Sequence, residues 1–220
     1  ISRKKDIFIA GADISEIRNI TDIKEGEEKA RLGQAILNKI EKLKVPTVAA
    51  IDGVCLGGGA ELALACRYRI ASDNPKTKLG CPEVNLGIIP GFGGTKRLTK
   101  LVGVTKALDL ILTGKTIVAR QAKKIGLVDK VVPQPIFVSA ARNFALKLKV
   151  KKRARHWDNL PLIRTLILSM AKKTVLKTTR GHYPAPLAAI SVIKGGLRRS
   201  LESALKLEAK AFGELVVTDV

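Results

Sequence analysis

Two features of the sequence could do chemistry. Gly57-Gly58-Gly59 can bring bare backbone N–H groups close to a ligand, because glycine has no side chain to hold the ligand off. A helix starting there would add a field that favours negative charge, so the turn is a candidate cradle for an anion or an oxyanion. Glu61 stands at the mouth of this cradle, where a carboxylate in a part-buried pocket can take or give a proton. Each feature also has a plainer reading. Three glycines let a strand pack closely on a helix, and a glutamate in a first turn complements the helix dipole. Taken one at a time, Glu83 reads as a loop residue after Pro82, and Gly11-Ala12-Asp13 as an ordinary turn.

These residues need elements to hold them. The stretch 45–56 reads as a short buried strand running into the glycine turn, with a helix beginning beyond it. Upstream, Ile7-Phe8-Ile9-Ala10 is a strand end that enters a tight turn at Gly11, and Ser15-Glu16-Ile17 begins a short helix. Over residues 25–43 the apolar positions Ala30, Ile36, Leu37, Ile40 and Leu43 recur at helical spacing. Asp22 and Glu25 form a capping box before it, and Pro46 lies beyond its end. Strands are expected at 67–72 and 77–80, separated by Asn74-Pro75. Cys81 to Gly87 and Pro90 to Gly94 hold too much glycine and proline for regular structure. Helices at 95–102, 104–112 and 119–125 and a strand at 127–132 complete an α/β layer pattern. Beyond Pro135 only helices are expected, at 136–150, at 160–176 and as a pair between 187 and about 212, with Tyr183-Pro184-Ala185-Pro186 breaking the chain. This divides the protein into residues 1–134 and 135–220.

The 220 residues are 46% hydrophobic, enough for one substantial core, and no apolar run approaches the roughly 20 residues of a membrane span. The chain opens on Ile1 without an initiator methionine or a signal-peptide layout, so upstream residues are expected to be missing. Cys55, Cys66 and Cys81 form no C-x-x-C pair, which favours a reducing compartment and gives no support to a zinc site. His156 and His182 have no partner at ligand spacing. The net charge is +21, and from Arg142 to Arg199 fifteen Lys and Arg face one acid, Asp158. A solvated basic face explains this, as would nucleic acid, an anionic membrane or an acidic substrate. RNA is disfavoured because few aromatics, Phe144, Trp157 and Tyr183, are interleaved with the basic residues. A membrane surface fits better, since 160–176 is amphipathic with Lys172, Lys173 and Lys177 at its polar edge. Gly53 and Gly58 have the spacing of a phosphate-binding loop, but Gly59 replaces the required lysine, and the dinucleotide pattern lacks its last glycine.

In combination the motifs are far more specific. Gly11-Ala12-Asp13-Ile14, Gly57-Gly58-Gly59-x-Glu61-Leu62, Pro82-Glu83-Val84 and Pro90-Gly91-x-Gly93-Gly94-Thr95-x-Arg97-Leu98, in this order, resemble the crotonase (enoyl-CoA hydratase/isomerase) superfamily over residues 9–133. Tyr183-Pro184-Ala185-Pro186-Leu187 and Glu208-Ala209-x-Ala211-Phe212-Gly213-Glu214-Leu215 resemble the linker after the hydratase domain in the α-subunit of the multifunctional fatty-acid oxidation complex. In that subunit a 3-hydroxyacyl-CoA dehydrogenase domain comes next. The resemblance implies a crotonase-like spiral of ββα turns followed by an all-α linker region. It implies hydration of trans-2-enoyl-CoA in fatty-acid β-oxidation, with an isomerase side activity; the alternative is a crotonase-fold binding module acting through the basic helices. Carried over by position, the oxyanion-hole amides fall on Ala12 and Gly58 and the catalytic carboxylates on Glu61 and Glu83, with further substrate contacts from Gly11, Asp13, Ile14 and Gly57. Glu83 stands 22 positions after Glu61, slightly more than the family often shows, the extra length falling at Asp73-Asn74-Pro75-Lys76. The expected ligand is acyl-CoA. Neither metal nor cofactor is expected in this chain, NAD serving only a dehydrogenase domain. A thiolase β-subunit is the expected partner, in the cytoplasm of a bacterium or in a mitochondrion.

Overall fold

The computed structural model describes residues 1–148, 158 and 160–218. The chain enters on β1 (Ile7–Ile9), turns at Gly11 and forms α1 (Ile14–Arg18). Next comes α2 (Ile23–Glu41), where the Asp22 carboxylate accepts from the Glu25 N–H at 3.0 Å and so satisfies one donor of the first turn. Gly26, Ala30, Gln34 and Leu37 form its buried face, while Ile36 and Leu43, expected inside, are exposed.

The stretch before the glycine turn is two strands rather than one, β2 (Val48–Ile51) and β3 (Val54–Leu56). Gly53 divides them with φ +92°, in a position where a Cβ would lie 1.9 Å from the carbonyl carbon of Asp6. The two strands consequently enter different sheets. After α3 (Gly58–Ala65) the chain alternates again, with β4 (Tyr68–Ser72) beside β2 and β5 (Lys78–Gly80) beside β3. A short 3-10 helix, Pro82–Leu86, occupies a segment expected to be irregular. Its proline sits in the first turn, where a missing N–H costs nothing, and Gly87 closes it in the left-handed conformation.

Then come α4 (Gly94–Val102), α5 (Val104–Thr113), β6 (Thr116–Val118), α6 (Ala119–Lys124) and β7 (Lys130–Val132). The sheet orders are β1-β3-β5-β6 and β2-β4-β7, parallel throughout except for the β5–β6 pair. β6 was not expected, being only three residues long. β7 is shorter than expected because Leu127 and Val128 turn back instead, both donating to the Ala122 carbonyl at the end of α6.

Arg69 on β4 is fully buried and holds the layers together. Its guanidinium donates to the carbonyls of Leu127 at 2.9 Å, Ala63 at 3.0 Å and Cys66 at 2.7 Å. Arg69→Met keeps much of the volume but leaves these acceptors unpaired. The Arg69 guanidinium also pairs with the Asp129 carboxylate at 3.4 Å, so urea unfolding is expected to show a loss of about 3–5 kcal/mol, the range for breaking a buried ion pair.

The remaining helices are α7 (Phe137–Leu146), α8 (Pro161–Thr179), α9 (Pro184–Gly196) and α10 (Leu201–Val216). The part of the 136–150 helix expected at 149–150 lies outside the described residues, as do Trp157 and His156. The prolines at 184 and 186, expected to break the chain, instead occupy the first turn of α9. α10 packs on α2 and α9, and the contact with α2 is close enough that a Cβ on Gly213 would lie 2.4 Å from the carbonyl oxygen of Ile23. Ile193, Phe212 and Leu215 from these helices share one core cluster with Ile51, Leu98 and Ile111. Among the described residues no helix is long and apolar enough to cross a membrane.

Candidate active site

Parallel pairing of β1 with β3 sets the two glycine turns side by side. A Cβ on Gly57 would lie 3.6 Å from the Gly11 Cα, and one on Gly58 would lie 3.9 Å from the Ala12 nitrogen. The Gly57 N–H donates to Gly80 at 3.1 Å, tying the turn to β5. Gly58 is the first residue of α3, so its N–H has no acceptor within the helix.

Glu61, one turn into α3, is 2% exposed. Its Oε1 accepts from the N–H groups of Phe92 and Gly94, both at 2.7 Å. Burial raises its pKa well above the usual carboxylate range, and the negative charges of Glu83 and Glu208 add to this, while the two amides oppose it. Glu83, on the 3-10 helix, is 8% exposed, and neither of its carboxylate oxygens has a hydrogen-bond partner among the described residues. One of them lies 3.4 Å from where a Cβ on Gly57 would be. Burial pushes its pKa up to about 7. A buried carboxylate with no hydrogen-bond partner is costly, and a ligand entering the cavity is one way to supply the missing contacts.

Both glutamates line one cavity of about 550 Å³, together with Gly11, Ala12, Ile14, Gly57 and Gly58. Ile17, Ile20, Leu32, Ile36 and Phe92 give it an apolar wall suited to an acyl chain. Of the residues named from sequence, only Asp13 is outside this lining. Its carboxylate caps α1, accepting from the Ser15 N–H at 2.9 Å and the Ser15 hydroxyl at 2.6 Å, and those bonds hold its pKa down. A second cavity of about 440 Å³ lies beside α4, lined by Lys96, Lys100, Arg164 and Arg199. Its one acid, Glu41, is paired with Arg97 at 2.9 Å, so it holds no acid–base pair.

Two site-supporting residues were not foreseen, although both lie in the linker-like motifs. The Tyr183 hydroxyl donates to the Val84 carbonyl and accepts from the Gly87 N–H at 3.1 Å, bracing the 3-10 helix that carries Glu83. Glu208 of α10, fully buried, accepts from the Gly93 N–H, and from the Thr95 N–H at 2.9 Å. Periodicity alone could have flagged it, since Leu205, Glu208, Ala209, Phe212 and Leu215 share the buried face of one helix.

Residues 2–186 match the family described as Enoyl-CoA hydratase/isomerase. Among solved structures, an enoyl-CoA hydratase from Bacillus anthracis is 32% identical with a TM-score of 0.61, the match covering 98% of this chain and 71% of that one. An enoyl-CoA hydratase from Geobacillus kaustophilus is 29% identical with a TM-score of 0.64, over 100% of this chain and 71% of that one. DspI from Pseudomonas aeruginosa is 31% identical with a TM-score of 0.62, over 83% and 68%. The two small sheets wound with helices are the crotonase fold, with C-terminal helices closing on it. Fold, motif order and these matches agree, and the chain belongs to the enoyl-CoA hydratase/isomerase family.

Proposed function

We propose that this protein adds water to trans-2-enoyl-CoA thioesters to give 3-hydroxyacyl-CoA. The observation that carries the reading is Glu83, whose two oxygens have no partner among the described residues and are buried against the same cavity as Glu61, Ala12 and Gly58. Attack of water on C3 pushes electrons onto the thioester oxygen, where the Ala12 and Gly58 N–H groups stabilise the enolate-like charge. Mutual repulsion favours one shared proton, and although burial raises both carboxylates, the two N–H donors on Glu61, against none on Glu83 among the described residues, support the negative charge on Glu61. Glu61 then takes a proton from the water as its oxygen bonds C3, Glu83 gives its proton to C2, and a proton passing from Glu61 to Glu83 resets the pair. The same pair could carry a proton between C2 and C4, which is the isomerase reaction. Incubation with crotonyl-CoA and mass analysis tests the reading: 3-hydroxybutyryl-CoA is expected, and unchanged thioester would contradict it.

The setting in fatty-acid β-oxidation belongs to the same proposal. Tyr183 and Glu208 stand in the two linker-like motifs and both brace the catalytic mounts, which supports a helical region that completes a hydratase unit of an oxidation complex. A thiolase subunit is the partner that such a complex implies.

One observation favours a second role at a membrane surface. On α8 the buried side is Leu168 and Val175, whereas Leu162, Leu166 and Met170 form an exposed stripe at four-residue spacing. Lys173 and Lys177 continue the same face at about 100° per residue. Such a face suits anionic lipid. Flotation with anionic liposomes is expected to show salt-sensitive binding, and no binding at low ionic strength would remove this role.

A further inference from the structure

The four successive amides of residues 92–95 lead into α4, and those of Gly93, Gly94 and Thr95 would be orphan donors in an isolated helix. Here they alternate between two carboxylates from distant parts of the chain. Phe92 and Gly94 donate to Glu61, and Gly93 and Thr95 donate to Glu208. The Thr95 hydroxyl also donates to Glu208, and Gln34 of α2 donates to it at 3.3 Å while reaching the Gly91 and Leu205 carbonyls at 3.0 Å. The turn is therefore gripped on one side from the cavity and on the other from behind.

A neutral cap would satisfy two amides at far lower cost than a carboxylate with no exposed surface. The charge is also poorly placed for stability. The titratable groups around Glu208 are Glu61 on α3, Glu83 on the 3-10 helix and Cys81 before it. The adjacent guanidinium, Arg97, is already bonded to Glu41, Asn38 and the Phe92 carbonyl.

We propose, on the hydratase reading above, that Glu208 is a positioning residue for the reaction: from α10 it fixes the turn of residues 92–95, and thereby the orientation and charge of Glu61. Losing this hold leaves Glu61 bonded to a turn that can drift, and a displacement of about 1 Å can cost about 10²-fold in rate. Its negative charge also raises the pKa of Glu61, so removing that charge lets Glu61 ionise at lower pH.

The test is a double-mutant cycle on crotonyl-CoA hydration with Glu208→Gln, Glu61→Gln and both, alongside thermal melting. Glu208→Gln keeps the size of the side chain and is expected to lower kcat by about 10–100-fold with little change in KM. The acid limb of its pH–rate profile is expected at lower pH than in the wild type. In the Glu61→Gln background the same change is expected to alter kcat by no more than about twofold, because its effect acts through Glu61. A fall in melting temperature with kcat unchanged, or effects that multiply in the double variant, would overturn the proposal. A second readout needs no turnover: amide hydrogen exchange at Phe92 and Gly94 is expected to quicken in Glu208→Gln, and unchanged exchange would also overturn it. If no variant, wild type included, hydrates the thioester while exchange quickens, the hydratase reading fails and the clamp on the turn stands.

Discussion

Replacing Glu83 with glutamine is expected to lower crotonyl-CoA turnover by about 10²–10⁴-fold, the usual contribution of a general acid or base, while leaving the fold at least as stable. The two halves of this result have one cause. Glu83 is buried, its pKa is pushed up to about 7, and its oxygens bond nothing else in the described protein. Glutamine keeps the shape, cannot deliver the proton and cannot gain the unsatisfied charge that Glu83 takes on as pH rises through about 7. The pH dependence follows. A carboxylate whose folded pKa is raised keeps its proton in the folded state after the unfolded chain has lost it. Its contribution is fully present below the ordinary value of 4.5 and is lost as pH rises through about 7. Glu208 is raised to about 7 by burial and acts in the same direction. Melting temperatures across this window should fall with pH in the wild type and fall less in Glu83→Gln. A Glu83→Gln protein that melts much earlier at pH 7 would show that the carboxylate is structural.

Gly58→Pro is expected to cost about 10²–10³ in kcat, the loss for one oxyanion donor. A backbone donor is hard to delete, but Gly58 is the first residue of α3, the one helix position where proline fits. The substitution removes the N–H and sets the ring Cδ where its hydrogen pointed, while the added Cβ meets the Phe92 ring at 3.4 Å, an ordinary contact. The fall in kcat should exceed the rise in KM for crotonyl-CoA, because the donor acts on charge that develops in the transition state while the ring Cδ only crowds the bound thioester. Equal losses in both would show that the amide only binds the substrate.

Backbone chemistry made much of this site legible. Glycines at 11, 57 and 58 announced a place where amides come close to a ligand, and the motif order tied them to Glu61 and Glu83. The structure brings all five to one cavity. Asp13 belonged to the same motif, yet Ser15 two residues on gives its carboxylate a local partner, and it caps a helix instead. The helix at Pro82–Leu86 is hidden in the sequence because proline and glycine read as breakers, whereas here they stand at its first turn and its end. Apolar residues on α8 are spread around the helix, so periodicity could not say that Leu162, Leu166 and Met170 face outward. Glu208 and Tyr183 depend on what α10 and the start of α9 lie against, and those contacts span about half the chain.

The central claim is that Glu61 and Glu83 act as one unit on one water. Crotonyl-CoA turnover by Glu61→Gln, Glu83→Gln and the double variant tests it most directly. Each single variant is expected to lose nearly all turnover, with the double no worse than the weaker single, since residues that act together are not additive. Wild-type turnover in either single variant would contradict the account.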